Sequence, residues 1–294
     1  LLALGAAYLR RPHPETRAIQ FSVVAPEKAT FTVLSGPPVI SPDGRRIAFV
    51  ATGADGRQLL WIRPLDARSP FPLSGTEGAI FPFWSPDSRN LGFFSGGKLR
   101  KIDVAGGPSQ TLADASSPRG ASWGRQGVIV FTPALASPLV RVSAAGGTTT
   151  PVTAPETERG IHWWPQFLPD GRRFLYFRRT AQPDSGGVYL GSLDSKEVTL
   201  LVRGSSGAVY SPGPDGGGYL LFGRDRALMA QPFDAASGKL AGEPFAVADQ
   251  VAFDTVGGSY YSVSDNGVLV YRSEGASPRS QLAWFDREGR QIRT

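Results

Sequence analysis

The stretch Trp164-Pro-Gln-Phe-Leu-Pro-Asp-Gly171, followed by Phe174-Leu-Tyr-Phe177, contains the pattern that organises the whole chain. Its Leu-Pro-Asp-Gly segment has the composition of a tight turn, because proline presets φ at the second position and glycine suits the fourth. The aromatic and aliphatic residues on both sides favour extended structure. The stretch therefore predicts two antiparallel strands joined by a turn at residues 168–171.

This unit recurs along the chain. An apolar run ends in an aromatic residue at positions 49, 93, 131, 177, 222 and 271, with spacings of 44, 38, 46, 45 and 49 residues. The turns that precede the runs are Ser41–Gly44, Ser85–Ser88, Gly124–Gly127, Leu168–Gly171, Ser211–Gly216 and Ser264–Gly267. A third strand-like segment and a short fourth one follow each run; after the sixth run the third segment is Gln281–Phe285. A period of roughly 40–50 residues is typical of propeller blades.

The apolar runs distinguish between two all-β folds that are consistent with such turns, a β-propeller and a two-sheet sandwich. Every side chain in Val128–Phe131 is apolar, whereas a sheet with one solvated face would alternate. Blades stacked around a channel cover both faces of each sheet, and a two-sheet sandwich does not predict six similar units. The predicted fold is an all-β, six-bladed β-propeller of four-stranded antiparallel blades. The predicted blades are 36–79, 80–119, 120–158, 159–204, 205–252 and 253–294, so residues 31–294 form the propeller.

The first thirty residues carry a separate prediction. Residues 1–9 are apolar apart from Tyr8 and end at Arg10-Arg-Pro12, which is too short for a membrane span of roughly 20 residues. We predict that residues 1–11 are the C-terminal end of a truncated transmembrane helix; a truncated signal peptide or a short terminal helix are the alternatives. Residues 12–30 would be a juxtamembrane linker, in which Ile19–Val24 pairs with the last blade and closes the ring.

The composition narrows the possible chemistry. The chain of 294 residues has 36 Gly, 25 Pro, two His and no Cys, so thiol nucleophiles, disulfides and thiolate metal sites are excluded. The net charge of +6 is not gathered into any block of like charge, and no nucleic-acid partner is expected. Most of the glycines and many prolines are explained as turn residues.

No catalytic constellation is found in the sequence. Gly204-Ser-Ser-Gly207 lacks the spacing of a nucleophile elbow, and the kinase signatures are missing. Gly92–Lys98 has the glycine and lysine spacing of a phosphate-binding loop, but Leu99 stands where Ser or Thr is needed. Acidic residues recur in the turns, and we expect them to hydrogen-bond their own turns rather than a cation. These residues are Asp43, Asp87, Asp170 and Asp215. No catalytic residue, metal or cofactor is predicted.

The best binding candidate is Arg159-Gly-Ile-His-Trp-Trp164, at the start of an inner strand where a propeller channel opens. Arginine and aromatic residues dominate binding hot spots. We predict that His162 and Trp163 are exposed there, so that alanine at either abolishes ligand binding without unfolding, and that Trp164 belongs to the core. Trp61 and Trp284 are expected to pack between blades. The predicted site residues are Arg159, His162, Trp163, Trp84 and Trp123.

The repeated turn and aromatic strand resemble TolB-type (WD-like) β-propeller repeats. More specific strings are similar to the propeller region of bacterial, acidobacterial-type transmembrane Ser/Thr protein kinases, over about residues 18–294. These strings are Trp164–Gly171 with Phe174-Leu-Tyr176, Val188-Tyr-Leu-Gly-Ser-Leu-Asp194, Leu228-Met-Ala-Gln-Pro-Phe-Asp234, and Ser262-Val-Ser264 with Asn266-Gly-Val-Leu-Val-Tyr271. The third and sixth turns depart from the repeat because they lack the Pro-Asp pair.

The resemblance implies a function without catalysis in this segment. The chain would be the membrane-anchored, periplasmic sensor or interaction module of such a kinase, with a protein or small-molecule ligand at the channel mouth. Similar propellers also follow membrane-anchored winged-helix regulators. The alternative from the enzyme class is the propeller domain of a hydrolase or lyase whose catalytic part lies elsewhere.

Overall fold

The computed structural model describes residues 22–32, 35–154, 160–180, 186–204, 206–213, 216–253 and 257–273, together with the strands at 284–285 and 291–293. All regular structure in these residues is β-sheet. No helix within the described ranges is long and apolar enough to cross a membrane. The predicted membrane helix at residues 1–11 lies outside the described residues.

The first blade shows why continuous apolar runs form these sheets. Its strands are β1 (Thr30–Phe31), β2 (Val39–Ile40), β3 (Arg46–Thr52), β4 (Gln58–Pro64) and β5 (Phe71–Leu73). The central strand β3 pairs antiparallel with β1 and β2 on one edge and with β4 on the other. Residues 47–51 of β3 are all buried, because neighbouring blades cover both faces of the sheet.

The next four-stranded sheets repeat this order. The second blade has β6 (Ile80–Trp84), β7 (Asn90–Ser95), β8 (Lys98–Asp103) and β9 (Gln110–Asp114). The third blade has β10 (Ala121–Trp123), β11 (Val128–Phe131), β12 (Val140–Ser143) and β13 (Thr150–Pro151). The fourth blade has β14 (Ile161–Phe167), β15 (Arg173–Arg179), β16 (Gly187–Ser192) and β17 (Thr199–Arg203). In each sheet every strand pairs with the next one along the chain. These are meanders, as the sequence predicts.

The fifth blade adds one strand to the pattern. It consists of β18 (Ala208–Pro212), β19 (Gly218–Arg224), β20 (Ala227–Asp234), β21 (Lys239–Leu240) and β22 (Phe245–Ala248). The long strand β20 pairs with β21 near its end and with β22 near its start. The outer strand of this blade is therefore split in two.

The prediction of six four-stranded blades is corrected to five. At the sixth position the described residues form only a two-stranded sheet of β23 (Tyr261–Val263) and β24 (Leu269–Tyr271). The predicted third strand, Gln281–Phe285, overlaps β25 (Trp284–Phe285), but β25 pairs with β26 (Gln291–Arg293) and not with β24. Within the described ranges, the outer edge of β24 carries no further ladder strand.

The inner strands nevertheless form a closed ring. Each of β2, β6, β10, β14, β18 and β23 contacts the next, and β23 contacts β2. Ser262 on β23 makes this closure, since its Oγ accepts from the Ile40 backbone N at 2.9 Å and donates to the Pro38 carbonyl at 3.1 Å. Of the predicted closing strand, Ile19–Val24, residues 19–21 lie outside the described residues and residues 22–24 are not in a strand, so its pairing with the last blade stays a prediction. Val23 packs onto the apolar cluster of the first blade.

The core lies between blades, in layers around the ring. Leu60 and Ile62 of the first blade pack with Leu91 and Phe93 of the second in one cluster, and four further layers repeat the arrangement around the chain. Each fully buried aliphatic or aromatic side chain contributes roughly 1.5–3 kcal/mol. The aromatic residues of the repeat are buried in the five complete blades, whereas Tyr271 at the sixth position is 40% exposed. That difference fits the two-stranded sheet that the described residues form at this position.

Candidate functional site

A cavity of about 590 Å³ lies inside the ring of inner strands. All six inner strands contribute to its walls, which places it on the propeller axis. Its lining is rich in aromatic residues: Phe81, Trp84, Trp123, Trp164, Phe167 and Tyr210. A mostly apolar, largely preformed cavity of several hundred Å³ is the usual form of a ligand site.

Side chains connect the inner strands to one another through what we call the hydrogen-bond belt. Trp84 Nε1 donates to the Val39 carbonyl at 3.0 Å, and the Phe167 backbone N donates to Ser122 Oγ at 2.9 Å. The Tyr210 backbone N donates to Gln166 Oε1 at 2.8 Å. The partners are 44 or 45 residues apart, which is the repeat length. The belt provides partners for backbone N–H and C=O groups of the inner strands, which belong to different sheets and do not form a ladder with one another.

One end of the channel, the turn mouth, is formed by the turns that follow the inner strands. Arg125 in the third turn and Asp265 in the sixth form an ion pair there, with Nη2 and Oδ2 3.1 Å apart. Because β10 and β23 are three positions apart in a ring of six, this pair spans the mouth. Both side chains are more than half exposed, so the pair contributes at most about 1 kcal/mol to stability.

The other end, the aromatic mouth, lies where the inner strands begin. The rings of Phe81 and Trp164 meet there edge to face, with centroids 5.2 Å apart. Both residues have left-handed backbone, with φ of 49° and 55°, and both lie at β-bulges. Such a conformation of a bulky residue costs on the order of 1–3 kcal/mol and is typical of functional sites. A Cβ at Gly120 would lie 2.7 Å from the Trp164 ring, so glycine leaves room for this arrangement.

The bulge at Trp164 reverses the predicted placement of three residues. His162 and Trp163 are buried, with 3% and 2% exposure, so their predicted exposure is wrong. His162 Nδ1 hydrogen-bonds Thr153 Oγ1 at 2.8 Å, and Trp163 Nε1 donates to the Leu135 carbonyl at 3.1 Å. The predicted core residue Trp164 lines the channel instead. The left-handed φ breaks the strand alternation and turns its side chain toward the axis.

The other predicted site residues divide into two groups. Trp84 and Trp123 both line the channel, and the structure brings them together with Trp164 in one cavity. Trp123 also packs against Phe83, at a centroid distance of 6.4 Å. Arg159 lies outside the described residues. Ligand binding by Trp84 and Trp123 stays a prediction.

Sequence reasoning missed several channel residues. Phe81 occupies the same position of β6 that Trp164 occupies in β14, so aligning the two inner strands would have found it. Ser122 and Gln166 were detectable as polar residues within apolar inner strands. The pair of Arg125 and Asp265 left no sequence signal, because 140 residues separate them.

The described turn carboxylates accept hydrogen bonds within their own turns, as the sequence predicts. Ser41 Oγ donates to Asp43 at 2.5 Å and Ser85 Oγ donates to Asp87 at 2.6 Å. Asp170 accepts from two backbone N–H groups of its own turn. The hydrogen bond from Ser85, helped by the Arg89 backbone N–H, outweighs the opposing effect of burial and holds the pKa of Asp87 below its ordinary value. Asp215 lies outside the described residues, and no metal-binding group of three acidic or histidine residues occurs within the described ranges.

Comparison with solved structures shows a TolB-like β-propeller fold. TolB from Acinetobacter baumannii gives a TM-score of 0.56 at 14% identity, covering 72% of this chain and 54% of that one. A protein described as a TolB from Agrobacterium tumefaciens gives 0.58 at 17% identity, covering 81% and 90%. Hydrazine synthase from Kuenenia stuttgartiensis gives 0.55 at 13% identity, covering 88% and 78%. This chain spans about half the length of the Acinetobacter protein.

No protein-family model matches the chain, and neither does any curated protein. The similar structures include an enzyme as well as TolB proteins, although all share the propeller. Since one propeller fold supports unrelated functions, likeness at these identities establishes architecture alone. By its sheet topology and its solved neighbours, the chain has a TolB-like β-propeller fold of antiparallel blades.

Proposed function

We propose that this chain is a non-catalytic sensor or interaction module that binds a ligand in its central channel, as the extracytoplasmic region of a membrane Ser/Thr protein kinase. The observation that carries the proposal is the aromatic channel of about 590 Å³ at the ring axis. Its lining is built for packing and hydrogen bonding, and its described polar side chains hold the belt together rather than forming a nucleophile and base pair.

The kinase part of the proposal is supported by the sequence strings that resemble kinase-linked propellers. The position of the channel suits such a role, because every inner strand reaches it and a bound ligand would contact several blades together. A ligand held by several blades stabilises their relative arrangement by mass action. The change in the relative arrangement of the blades would be transmitted through the predicted linker, residues 12–30, to the membrane helix.

The experiment is to reconstitute the full-length parent protein in lipid vesicles, with and without residues 31–294, and to measure autophosphorylation with labelled ATP. We expect removal of the propeller to change the rate several-fold while the kinase core still phosphorylates a peptide. An equal rate in both proteins would contradict the sensor role.

The sequence upstream of Leu1 in the parent protein provides the second arm of the test. A kinase core followed by a full membrane span supports the proposal. A winged-helix domain upstream, or a hydrolase domain downstream, would overturn its kinase part. Turnover of chromogenic ester or peptide substrates by the isolated chain would overturn its non-catalytic part.

A further inference from the structure

We infer that Asn266-Gly267 in the sixth turn is a site of spontaneous deamidation, and that the contact between the sixth and first turns controls the reaction. The product, aspartate or isoaspartate at position 266, cannot restore that contact. Deamidation therefore converts a transient separation of the two turns into a permanent one. This inference concerns the closure of the ring and depends neither on the proposed function nor on a ligand of the channel.

The sequence favours the reaction at one position. The chain contains two asparagines, Asn90 and Asn266, and of these only Asn266 is followed by glycine. Because glycine has no Cβ, its backbone N–H can approach the amide of the preceding side chain closely. Asn90 is followed by Leu91, whose side chain hinders the same approach. We therefore expect deamidation at Asn266, and Asn90 serves as the internal comparison.

The reaction needs water and no cofactor. The Gly267 backbone N gives up its proton to water and attacks Cγ of Asn266, so that an N–Cγ bond forms and the Cγ–Nδ2 bond breaks with release of ammonia. Water then opens the cyclic imide. Attack of water at Cγ gives aspartate, whereas attack at the backbone carbonyl carbon gives isoaspartate, in which the main chain runs through the side chain. Both residues are exposed in the structure, so water reaches them.

In the closed ring, hydrogen bonds hold both reacting groups. Ser264 Oγ donates to Asn266 Oδ1 at 2.5 Å, and Asn266 Nδ2 donates to the Asp43 carbonyl at 3.2 Å. The nucleophile is engaged as well, since the Gly267 backbone N donates to the Ser264 carbonyl at 3.2 Å. These bonds must break before the ring forms, because the Gly267 nitrogen must lose its proton and the amide must turn toward it. Local opening of the turn therefore limits the rate.

The first turn supplies the part of this protection that depends on ring closure. Its Asp43 carbonyl holds the Asn266 amide, and its Pro42 carbonyl accepts from the Asp265 backbone N at 2.9 Å. The Asn266 side chain also lies against Gly44, where a Cβ would come within 2.2 Å of Oδ1. The Asn266 amide is therefore released when the sixth turn separates from the first.

The chemistry of the products makes the separation permanent. Aspartate at position 266 still accepts from Ser264 Oγ, as Asp43 does from Ser41 Oγ in the first turn. A carboxylate has no N–H, however, so it cannot donate to the Asp43 carbonyl, and its negative charge faces that oxygen. Isoaspartate also lengthens the main chain of the turn. Both products consequently lose the hydrogen bond between the turns.

The test compares the intact chain with two glycine variants. Gly44→Ala presses a methyl group against the Asn266 amide, whereas Gly56→Ala, at a similar φ, meets nothing within 4 Å. Each protein is incubated at mildly alkaline pH, and peptide mass spectrometry follows the loss of asparagine at positions 90 and 266. The intact chain unfolded in guanidinium gives the rate without protection. Thermal unfolding reports whether each variant is folded and compares the product variant, Asn266→Asp, with the intact chain.

We expect Asn266 to react at least about tenfold more slowly in the folded chain than in the unfolded one, since two hydrogen bonds of its amide must break first. Gly44→Ala should raise the rate in the folded chain about threefold or more, and Gly56→Ala should change it by less than about twofold. Asn90 should stay unmodified over the same period, and Asn266→Asp should unfold at a lower temperature than the intact chain.

Four results would each overturn the inference. They are equal rates at Asn266 in the folded and unfolded chains, faster loss at Asn90 than at Asn266, equal rates in the two glycine variants, and an Asn266→Asp chain as stable as the intact one. The first, second and fourth comparisons do not require Gly44→Ala to fold.

Discussion

At the scale of single residues, one backbone angle decides which aromatic residue faces the channel. The position of His162 and Trp163 at the start of β14 predicted that both are exposed at the channel entry, but the left-handed φ of Trp164 breaks the alternation along the strand. Because proteins retain such strained conformations mainly where a site requires them, the bulge is itself a sign of function. The same feature at Phe81 in the second blade supports this interpretation.

The burial of His162 and Trp163 leads to a stability prediction. Alanine at Trp163 should lower the free energy of unfolding by about 3–5 kcal/mol, because it leaves a cavity and an unpaired carbonyl at Leu135. Alanine at His162 should lower it by about 1–3 kcal/mol, since Thr153 Oγ1 loses one of its two partners and keeps only the Leu139 backbone N. Guanidinium denaturation measures both. The control is Phe245→Ala, at a half-exposed ring on β22, where we expect a loss of no more than about 1 kcal/mol; equal losses at all three positions would contradict the placement.

The lowered pKa of Asp87 makes the free energy of unfolding depend on pH. Its pKa is lower in the folded chain than its ordinary value near 3.8, chiefly because Ser85 donates to it. A lowered folded pKa adds stability that is fully present above pH 3.8 and is lost as the pH falls through the folded value. The contribution is small, at most about 1 kcal/mol, because the turn is exposed to solvent.

The substitution Asp87→Asn isolates this contribution. Asparagine already performs the same task in the sixth turn, where Ser264 Oγ donates to Asn266 Oδ1 at 2.5 Å. We expect the stability difference between the original chain and the variant to be constant from pH 7 to 5 and to shrink below pH 3.8, as measured by urea denaturation. A difference that grows on acidification would show that the sign is wrong.

At the scale of elements, the turns do more than reverse the chain. The Asn266 amide donates to the Asp43 carbonyl at 3.2 Å, and the Asp43 backbone N donates to Ser88 Oγ at 3.1 Å. Hydrogen bonds with the sixth turn and with the second turn thus hold the first turn in place. Pro, Asp and Gly in these segments predict the local turn shape, whereas their contacts with other blades depend on the closed ring.

A comparison of Gly44 with Gly56 distinguishes the cost of backbone strain within a turn from the cost of lost contacts between blades. Gly44 and Gly56 have similar φ values of 70° and 75°, but a Cβ would lie 2.2 Å from the Asn266 side chain at Gly44 and would meet nothing within 4 Å at Gly56. Gly56→Ala should cost about 1 kcal/mol through backbone strain alone. We expect Gly44→Ala to cost at least about 1 kcal/mol more, as measured by thermal unfolding. Equal costs would mean that the two turns do not press against each other.

At the scale of the whole molecule, the belt and the closure at Ser262 convert separate sheets into a ring. Most core layers lie between blades, so no blade buries its own apolar faces alone. Repeat folds of this kind derive much of their stability from interfaces between neighbours. A contact that joins the last inner strand to the first therefore affects the entire chain.

Ser262→Ala tests the closure. Loss of the Ser262 hydroxyl leaves the Ile40 N–H and the Pro38 carbonyl without the partner that they share. We therefore expect the free energy of unfolding to fall by about 1–3 kcal/mol. The control, Ser143→Ala, removes an exposed hydroxyl that accepts only a turn N–H from Ala145 and should cost about 0.5 kcal/mol or less. Urea denaturation compares them. Equal losses would indicate that the ring is closed elsewhere.

The sequence predicted much of the architecture and little of the site. Turn chemistry, the apolar runs and their spacing near 45 residues predicted the blade type and the inner-strand positions, because these features depend on neighbouring residues and on a repeated period. The same reasoning located Trp84 and Trp123 near the axis. It erred for His162, Trp163 and Trp164, since a bulge has no signature in residue spacing.

The sequence alone determined that this chain is a Cys-free, turn-punctuated propeller, because strand propensity, turn geometry and repeat length are local properties. Only the tertiary structure decided how the ring closes, which tryptophan faces the channel, and which charges meet across its mouth. Those outcomes depend on contacts such as Ser262 with Ile40 and Arg125 with Asp265, more than 100 residues apart along the chain. Their energies arise only once all the inner strands stand around one axis.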